Sequence, residues 1–206
     1  MAATQLTVAQ VTTHAQNFCK SNSNLLSAEE LRIAQTVNNE VNGYYQWRWG
    51  ITAGTNIAIA SGTQEYNLAA GDTGRVRSLN EAWLLSGATD QFPLMIADDP
   101  PVYTTDTTGQ PFAVSLITDA RLRLFPTPDA TYTLSFRYQN AGTVFTANTE
   151  TYDAPYRFDG AVKAGVIWQF LEFMDDQRAP LWKENFYGQL ERLRRIEMKR
   201  LHISKG

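Results

Sequence analysis

Residues 121–138 read RLRLFPTPDATYTLSFRY. Apolar and polar side chains alternate from Arg121 to Phe125, break at Pro126 and Pro128, and alternate again from Thr131 to Tyr138. A period of two marks a strand with one face buried. Leu122 and Leu124, then Tyr132, Leu134, Phe136 and Tyr138, are therefore expected to point inward. Arg121, Arg123, Thr131, Thr133, Ser135 and Arg137 are expected to face water. The intervening FPTPDAT reads as the turn of a hairpin, and one dry face with one wet face suits an antiparallel sheet.

Upstream, the same period recurs from about residue 51. Ile57 and Ile59, Tyr66 and Leu68, Leu79, Trp83 and Leu85, Phe92, Leu94 and Ile96, and Phe112, Val114 and Leu116 each alternate with smaller or polar neighbours. Turn clusters separate them: SGTQ, AAGDTG, SGATDQ, DDPP and TTGQP. Before this region the period is helical. Val8, Val11, Ala15 and Phe18 predict a helix over 7–20, and Ser27 with Glu30 forms an S-x-x-E capping box opening a second helix. That helix carries Leu31, Ala34, Val41 and Tyr45 on one face and is expected to run through GYYQWRWG to Gly50. After the strands, Asp153 and Pro155 suit a helix start. The segment to Met174 is apolar around most of its circumference, so a buried helix is expected there. Trp182, Phe186, Leu190 and Leu193 mark a last amphipathic helix.

The order is helix, helix, strands, helix, helix, which defines an α+β chain. The predicted architecture is a four-helix bundle built from residues 1–50 and 150–206, with residues 51–149 inserted as an antiparallel β-sandwich or barrel-like domain held out from it. With 206 residues, 43% hydrophobic and 12% aromatic, the chain can bury a real core. Cys19 is the single cysteine, so neither an intrachain disulfide nor a cysteine-rich zinc site is expected. MAATQLTVAQ lacks the basic and apolar regions of a secretory signal. No apolar run approaches the roughly 18 residues of a membrane span, so an aqueous, reducing compartment is expected and no membrane partner.

Net charge is −3, which argues against a free-standing nucleic-acid binder. The charge is unevenly spread. From Arg178 onward eight basic residues stand against three acidic ones, leaving +5 on this segment and −8 on the remainder. Arg192, Arg194, Arg195, Lys199 and Arg200 are the candidates for docking an acidic partner; DNA phosphates, or a merely solvated helix face, are the other readings. Tyr44, Tyr45, Trp47 and Trp49 form an aromatic cluster that could stack sugars or bases, but such clusters more often wedge a helix end in place, and the structural role is favoured.

Catalytic chemistry is scarce. His14 and His202 are the only histidines, and no G-x-S-x-G, G-x-x-x-x-G-K, G-x-G-x-x-G, H-E-x-x-H or D-x-D-x-D-G motif is present. Asp98 with Asp99, and Asp175 with Asp176, lie at a turn and at a helix boundary, where adjacent carboxylates do not supply the separation that a glycosidase needs. No catalytic residue, metal site or cofactor is expected.

The ordered motifs YYQWRW, GTQEYNL, GQPFAVSLITDARLRLFPTPDATYTLSFRYQ and DAPYRFDGAVKAGVIWQFLEFMDD resemble the head-to-tail adaptor (connector) proteins of tailed bacteriophages, especially the short-tailed-phage adaptors of the tail tubular protein A type. The resemblance covers roughly residues 30–195. Its most specific element is the Gly109–Pro111 turn followed by the 121–138 stretch; it departs at Ala69, where the pattern has a proline. The resemblance implies a twelvefold homo-oligomeric ring beneath the portal protein. Such a ring extends the channel for passing double-stranded DNA, without sequence-specific contact, and gives the tail nozzle or tail tube a platform. It implies a non-enzymatic virion protein assembled in the host cytoplasm, with the basic carboxy-terminal helix docking the portal and the β region facing the tail or a neighbouring subunit. The rival readings are a carbohydrate-binding β-sandwich that uses the aromatic cluster, and a hydrolase built on Asp98 or Asp176.

Overall fold

The computed structural model describes residues 5–19, 27–87, 90–97 and 107–203. It divides into two compact units, residues 1–50 with 142–206, and residues 51–141. The predicted Asp98–Asp99 pair lies outside the described residues, as do the side chains of Ser27, Arg200 and His202.

The first unit is helical. It comprises α1 (Val8–Cys19), α2 (Ser27–Tyr44), α3 (Asp159–Phe173) and α4 (Ala179–Ile203), with short 3-10 turns at Arg48–Gly50 and Tyr156–Phe158. α1 opens on a T-x-x-Q box that was not singled out from sequence. The Gln10 amide donates to Thr7 Oγ1 at 3.2 Å, and the Thr7 amide donates to Gln10 Oε1 at 3.0 Å. At the start of α2, by contrast, the Glu30 carboxylate serves tertiary structure, accepting from Gln16 Nε2 (2.8 Å) and Asn148 Nδ2 (3.1 Å).

α3 buries residues on every side, among them Val162, Val166, Ile167, Trp168, Phe170 and Leu171. α1, α2 and α4 all pack against it. Gly165 permits the closest approach: a Cβ there would lie 2.8 Å from Val37 of α2 and 2.9 Å from the Phe186 ring of α4. Val8, Val11 and Ala15 are buried as expected, whereas Phe18 is exposed and meets Trp182 edge-on at 4.9 Å.

Two helix boundaries differ from the sequence reading. α2 ends at Tyr44 instead of running to Gly50, because the Trp47 indole folds back and donates to the Val41 carbonyl at 2.6 Å, occupying one of the acceptors that a helix end leaves free. α3 begins at Asp159, six residues after Asp153. Asp153 is occupied elsewhere: its carboxylate accepts from Thr143 N (2.8 Å), Thr143 Oγ1 (2.7 Å) and Asn38 Nδ2 (2.9 Å). Gln35 adds bonds to the Phe145 amide (2.7 Å) and the Thr143 carbonyl (3.2 Å). α2 thus holds the segment by which the chain re-enters this unit. Gly142, at φ +103°, opens that segment where a Cβ would meet Asn42 Nδ2 at 2.9 Å, a backbone conformation and a gap that favour glycine.

Among the described residues the second unit contains eleven strands: β1 (Ile51–Ala53), β2 (Ile57–Ile59), β3 (Glu65–Asn67), β4 (Val76–Ser86), β5 (Asp90–Pro93), β6 (Met95–Ala97), β7 (Thr108–Gly109), β8 (Ala113–Thr118), β9 (Arg121–Phe125), β10 (Thr127–Pro128) and β11 (Tyr132–Asn140). The inward residues of the 121–138 stretch are placed as read. Leu122, Leu124, Leu134, Phe136 and Tyr138 are buried and Tyr132 is half-buried. The pairing is not that of a hairpin. β9 lies between β3 and β8 in a four-stranded sheet ordered β3-β9-β8-β6, while β11 pairs with β1, β2 and β4 in a five-stranded sheet that β5 extends. Pro126 and Pro128 cannot donate to a continuing ladder. At Thr127 and Pro128 the chain makes the short parallel β10–β7 pair, after which it enters the other sheet. Strands of both sheets then contribute to one apolar cluster, in which Leu122 and Leu124 join Leu134 and Phe136.

The unit is not purely antiparallel: the five-stranded sheet is, but β6 runs parallel to β8 in the four-stranded sheet and β10 runs parallel to β7. The fifteen residues 98–112 between β6 and β8 are long enough for the crossover that a parallel pair requires. On β4 a one-residue register shift changes the inward phase. Arg137 pairs with Glu81 and Tyr138 with Leu79, leaving Asn80 extra. Leu79 is therefore followed inward by Ala82 and Leu84, and the predicted Trp83 and Leu85 fall on the opposite face, half-buried. Phe92, on the edge strand β5, and Phe112, just before β8, are exposed instead of inward.

Filling the gap at Gly165 tests the helical packing. Gly165→Val is expected to lower the unfolding free energy by about 1–3 kcal/mol, measured as a reduced urea midpoint with the helical far-ultraviolet signal followed throughout.

Candidate docking surface

The predicted basic residues lie on α4, whose buried side is set by Phe186 and Leu190 with Trp182 and Leu193 half-buried, as the spacing implied. Two of them are engaged within the helical unit. Glu191 receives Arg194 Nη1 at 3.1 Å and Arg195 Nε at 3.2 Å, spacings of three and four residues along one helix. Tyr44 donates to the same carboxylate at 3.2 Å, and Arg194 stands 5.7 Å from the Tyr45 ring centroid. These bonds, the one from Arg195 foremost, hold the Glu191 carboxyl below its usual range. Arg192 and Lys199 are exposed and have no ion-pair partner among the described residues. The structure thus separates the five candidates into two tied cations, two open ones, and Arg200, whose side chain is not among those described.

The aromatic cluster folds inward. Trp47 is fully buried, with its ring 4.8 Å from Phe158 and its indole N–H on Val41; Trp49 meets the same Phe158 ring at 5.6 Å. Tyr45 packs edge-on to Trp47 at 5.2 Å, and Tyr44 lies 6.0 Å from Tyr187. Each of the four rings thus packs against another aromatic ring of the helical unit. The cluster joins the end of α2 to the turn before α3 and to α4.

Two further contacts position α4, and neither was read from the sequence. Tyr187 donates to Glu40 Oε2 of α2 at 3.0 Å; burial, then this carboxylate, push its phenol up to about 12. Near the other end, Glu197 is buried and ion-paired with Arg157 of the turn preceding α3. Simple charge counting treats Glu197 as a surface acid, and nothing in the spacing of residues 157 and 197 announces their contact. At the amino end of α4, Asp176 accepts from the Arg178 guanidinium (2.8 and 3.0 Å) and the Arg178 amide (2.8 Å). The guanidinium bonds, then the amide bond, bring its carboxyl down to about 2. Asp175 beside it has a left-handed backbone, φ +53°. This pair forms a helix-entry turn. Among the described residues no group of three or more His, Cys, Asp or Glu is arranged to hold a metal ion, and no helix is long and apolar enough to cross a membrane.

Over residues 6–203 the sequence matches the family described as SU10 adaptor protein, and the chain belongs to that family. It is therefore a bacteriophage adaptor, a structural component of the virion, of a class that implies contacts with portal and tail proteins. No curated protein gave a significant match.

Two expectations follow. Glu197→Ala leaves Arg157 without its buried partner and is expected to cost about 1–3 kcal/mol, measured by thermal or urea unfolding. The depressed Asp176 carboxyl stabilises the folded state above its unfolded value of 3.8, and that contribution is lost as pH falls toward 2. Asp176→Asn should therefore flatten the acid limb of the stability–pH curve between about pH 4 and pH 2, with little effect on its slope above pH 5.

Proposed function

We propose that the protein is a head-to-tail adaptor subunit that assembles as a twelvefold ring beneath the portal, extends the DNA channel, and supplies the platform for a tail nozzle or tail tube. In this reading residues 1–50 and 150–206 act as a four-helix bundle domain and residues 51–149 as an inserted β-sandwich domain. The bundle domain docks the portal through the basic end of α4, and the β domain meets the tail or a neighbouring subunit. Assembly takes place in the host cytoplasm, and genome ejection passes double-stranded DNA through the ring without base-specific contact.

One observation carries the docking assignment: Arg192 and Lys199 stand exposed and, among the described residues, without ion-pair partners on the outward side of a helix whose other side is firmly buried. Exposed cations on a rigid helix suit an acidic protein surface, where they speed encounter and fix register. The family assignment supports the identity of that surface. The net negative charge of the chain is compatible with a channel wall that does not retain the DNA moving past it.

Purified portal rings provide the test. Deleting residues 190–206 is expected to abolish binding. Because Leu190 is buried, a full-length Arg192→Glu, Lys199→Glu variant serves as the folded control. It is expected to weaken binding at least tenfold, about 1.4 kcal/mol, in a pull-down or by interferometry. Unchanged binding by both variants rejects the docking assignment.

A further inference from the structure

The outward side of α4 carries a charge pattern of which the docking assignment uses only the basic half. A shallow groove of about 450 Å³ runs along it, lined by Leu181, Glu184, Asn185, Gly188, Gln189 and Arg192. Gly188 sits mid-groove, and a Cβ placed there would meet nothing within 4 Å. Another backbone can therefore come close at that point. Toward the amino end Glu184 on the helix and Asp175 in the turn before it are exposed acids. Toward the carboxyl end Arg192 and Lys199 are exposed bases without an ion-pair partner among the described residues. Neither Glu184 nor Arg192 has an ion-pair partner among the described residues. Leu181 is 67% exposed and Ile196 39%.

We infer that α4 pairs antiparallel with α4 of a second copy of this chain, about a two-fold axis at Gly188. In such a pair each residue faces the one equally far beyond position 188 on the other helix. Glu184 then faces Arg192 and Arg192 faces Glu184, so the ion pair forms twice. Leu181 meets the Arg195–Ile196 step, and Lys199 approaches the turn that holds Asp175 and Asp176. A parallel pairing would set acid against acid and base against base. The arrangement is isologous, one patch against itself, and closes at two subunits.

The pair is distinct from a ring contact and goes beyond the proposed function. Its consequence, that Arg192 and Lys199 are covered in the unassembled protein, matters for docking only if that reading holds. The pairing itself is measured without any portal. Solvent-exposed ion pairs contribute little each and are screened by salt, so the dimer is weak and salt-sensitive.

Sedimentation equilibrium of the full chain tests it, with circular dichroism confirming that every variant is folded. At low salt and about 100 µM, the wild type is expected to approach twice the monomer mass of 23.1 kDa and to fall back as salt rises. Glu184→Arg or Arg192→Glu alone should weaken the dimer at least tenfold, about 1.4 kcal/mol. The double reversal Glu184→Arg, Arg192→Glu should restore it, because each swapped residue again faces its opposite. Gly188→Cys in a Cys19→Ser background should give an oxidised dimer linked through position 188. A wild type that stays monomeric throughout, a larger ring as the sole oligomer, or folded single variants whose defect the double reversal does not repair would each overturn the pairing.

Discussion

α3 has no polar face, and the helical unit follows from that. A helix buried on all sides must be covered on all sides, and α1, α2 and α4 provide the cover. Two of these come from the first fifty residues and one from the last thirty, so burying α3 draws the two ends of the chain into one body. Gly165 sets how closely this happens, since Val37 and the Phe186 ring occupy the space where any side chain would stand. The re-entering segment is then fixed by polar bonds: Gln35 and Asn38 of α2 reach Thr143, Phe145 and Asp153. Those bonds explain why Asp153 does not cap the helix that follows it.

In the β unit a comparable constraint acts through two prolines. Had the chain turned tightly at 126–130, β9 and β11 would have shared a ladder and their leucines would have lined one face of one sheet. Instead the break lets each strand join a different sheet while its inward residues still reach the same apolar cluster. Alternation reports which way a side chain points relative to its own strand; it carries no information on the neighbouring strand. The same limit applies at Asn80. One extra residue reverses the parity of β4, and Ala82 takes the interior position that Trp83 would have held by uninterrupted alternation.

The electrostatic character of α4 is likewise a matter of neighbours. Its excess of positive charge is present in the sequence, but Glu191 ties Arg194 and Arg195, and Glu197 is drawn into the interior by Arg157. Among the described residues Arg192 and Lys199 stand without an ion-pair partner, with Glu184 on the same outward side. Tyr187 on Glu40 and Tyr44 on Glu191 hold the helix to α2, so these open charges stand on a rigid support, which suits a protein whose work is contact.

The sequence alone determined the class of each element and the inward residues of most of them, because helical and strand periods are local consequences of backbone geometry. It also determined the family resemblance, since ordered motifs survive in the linear string, and the i,i+3 and i,i+4 ties of Glu191 were present in plain spacing. Only the tertiary structure decided that β9 and β11 part company, that β6 lies parallel to β8, that Trp47 ends α2 by turning back on Val41, and that Arg157 and Glu197 meet across forty positions. Each of those outcomes depends on which distant group arrives at a given donor, acceptor or edge. Pairings of that kind are settled by the packing of the whole unit and leave no periodic trace along the chain.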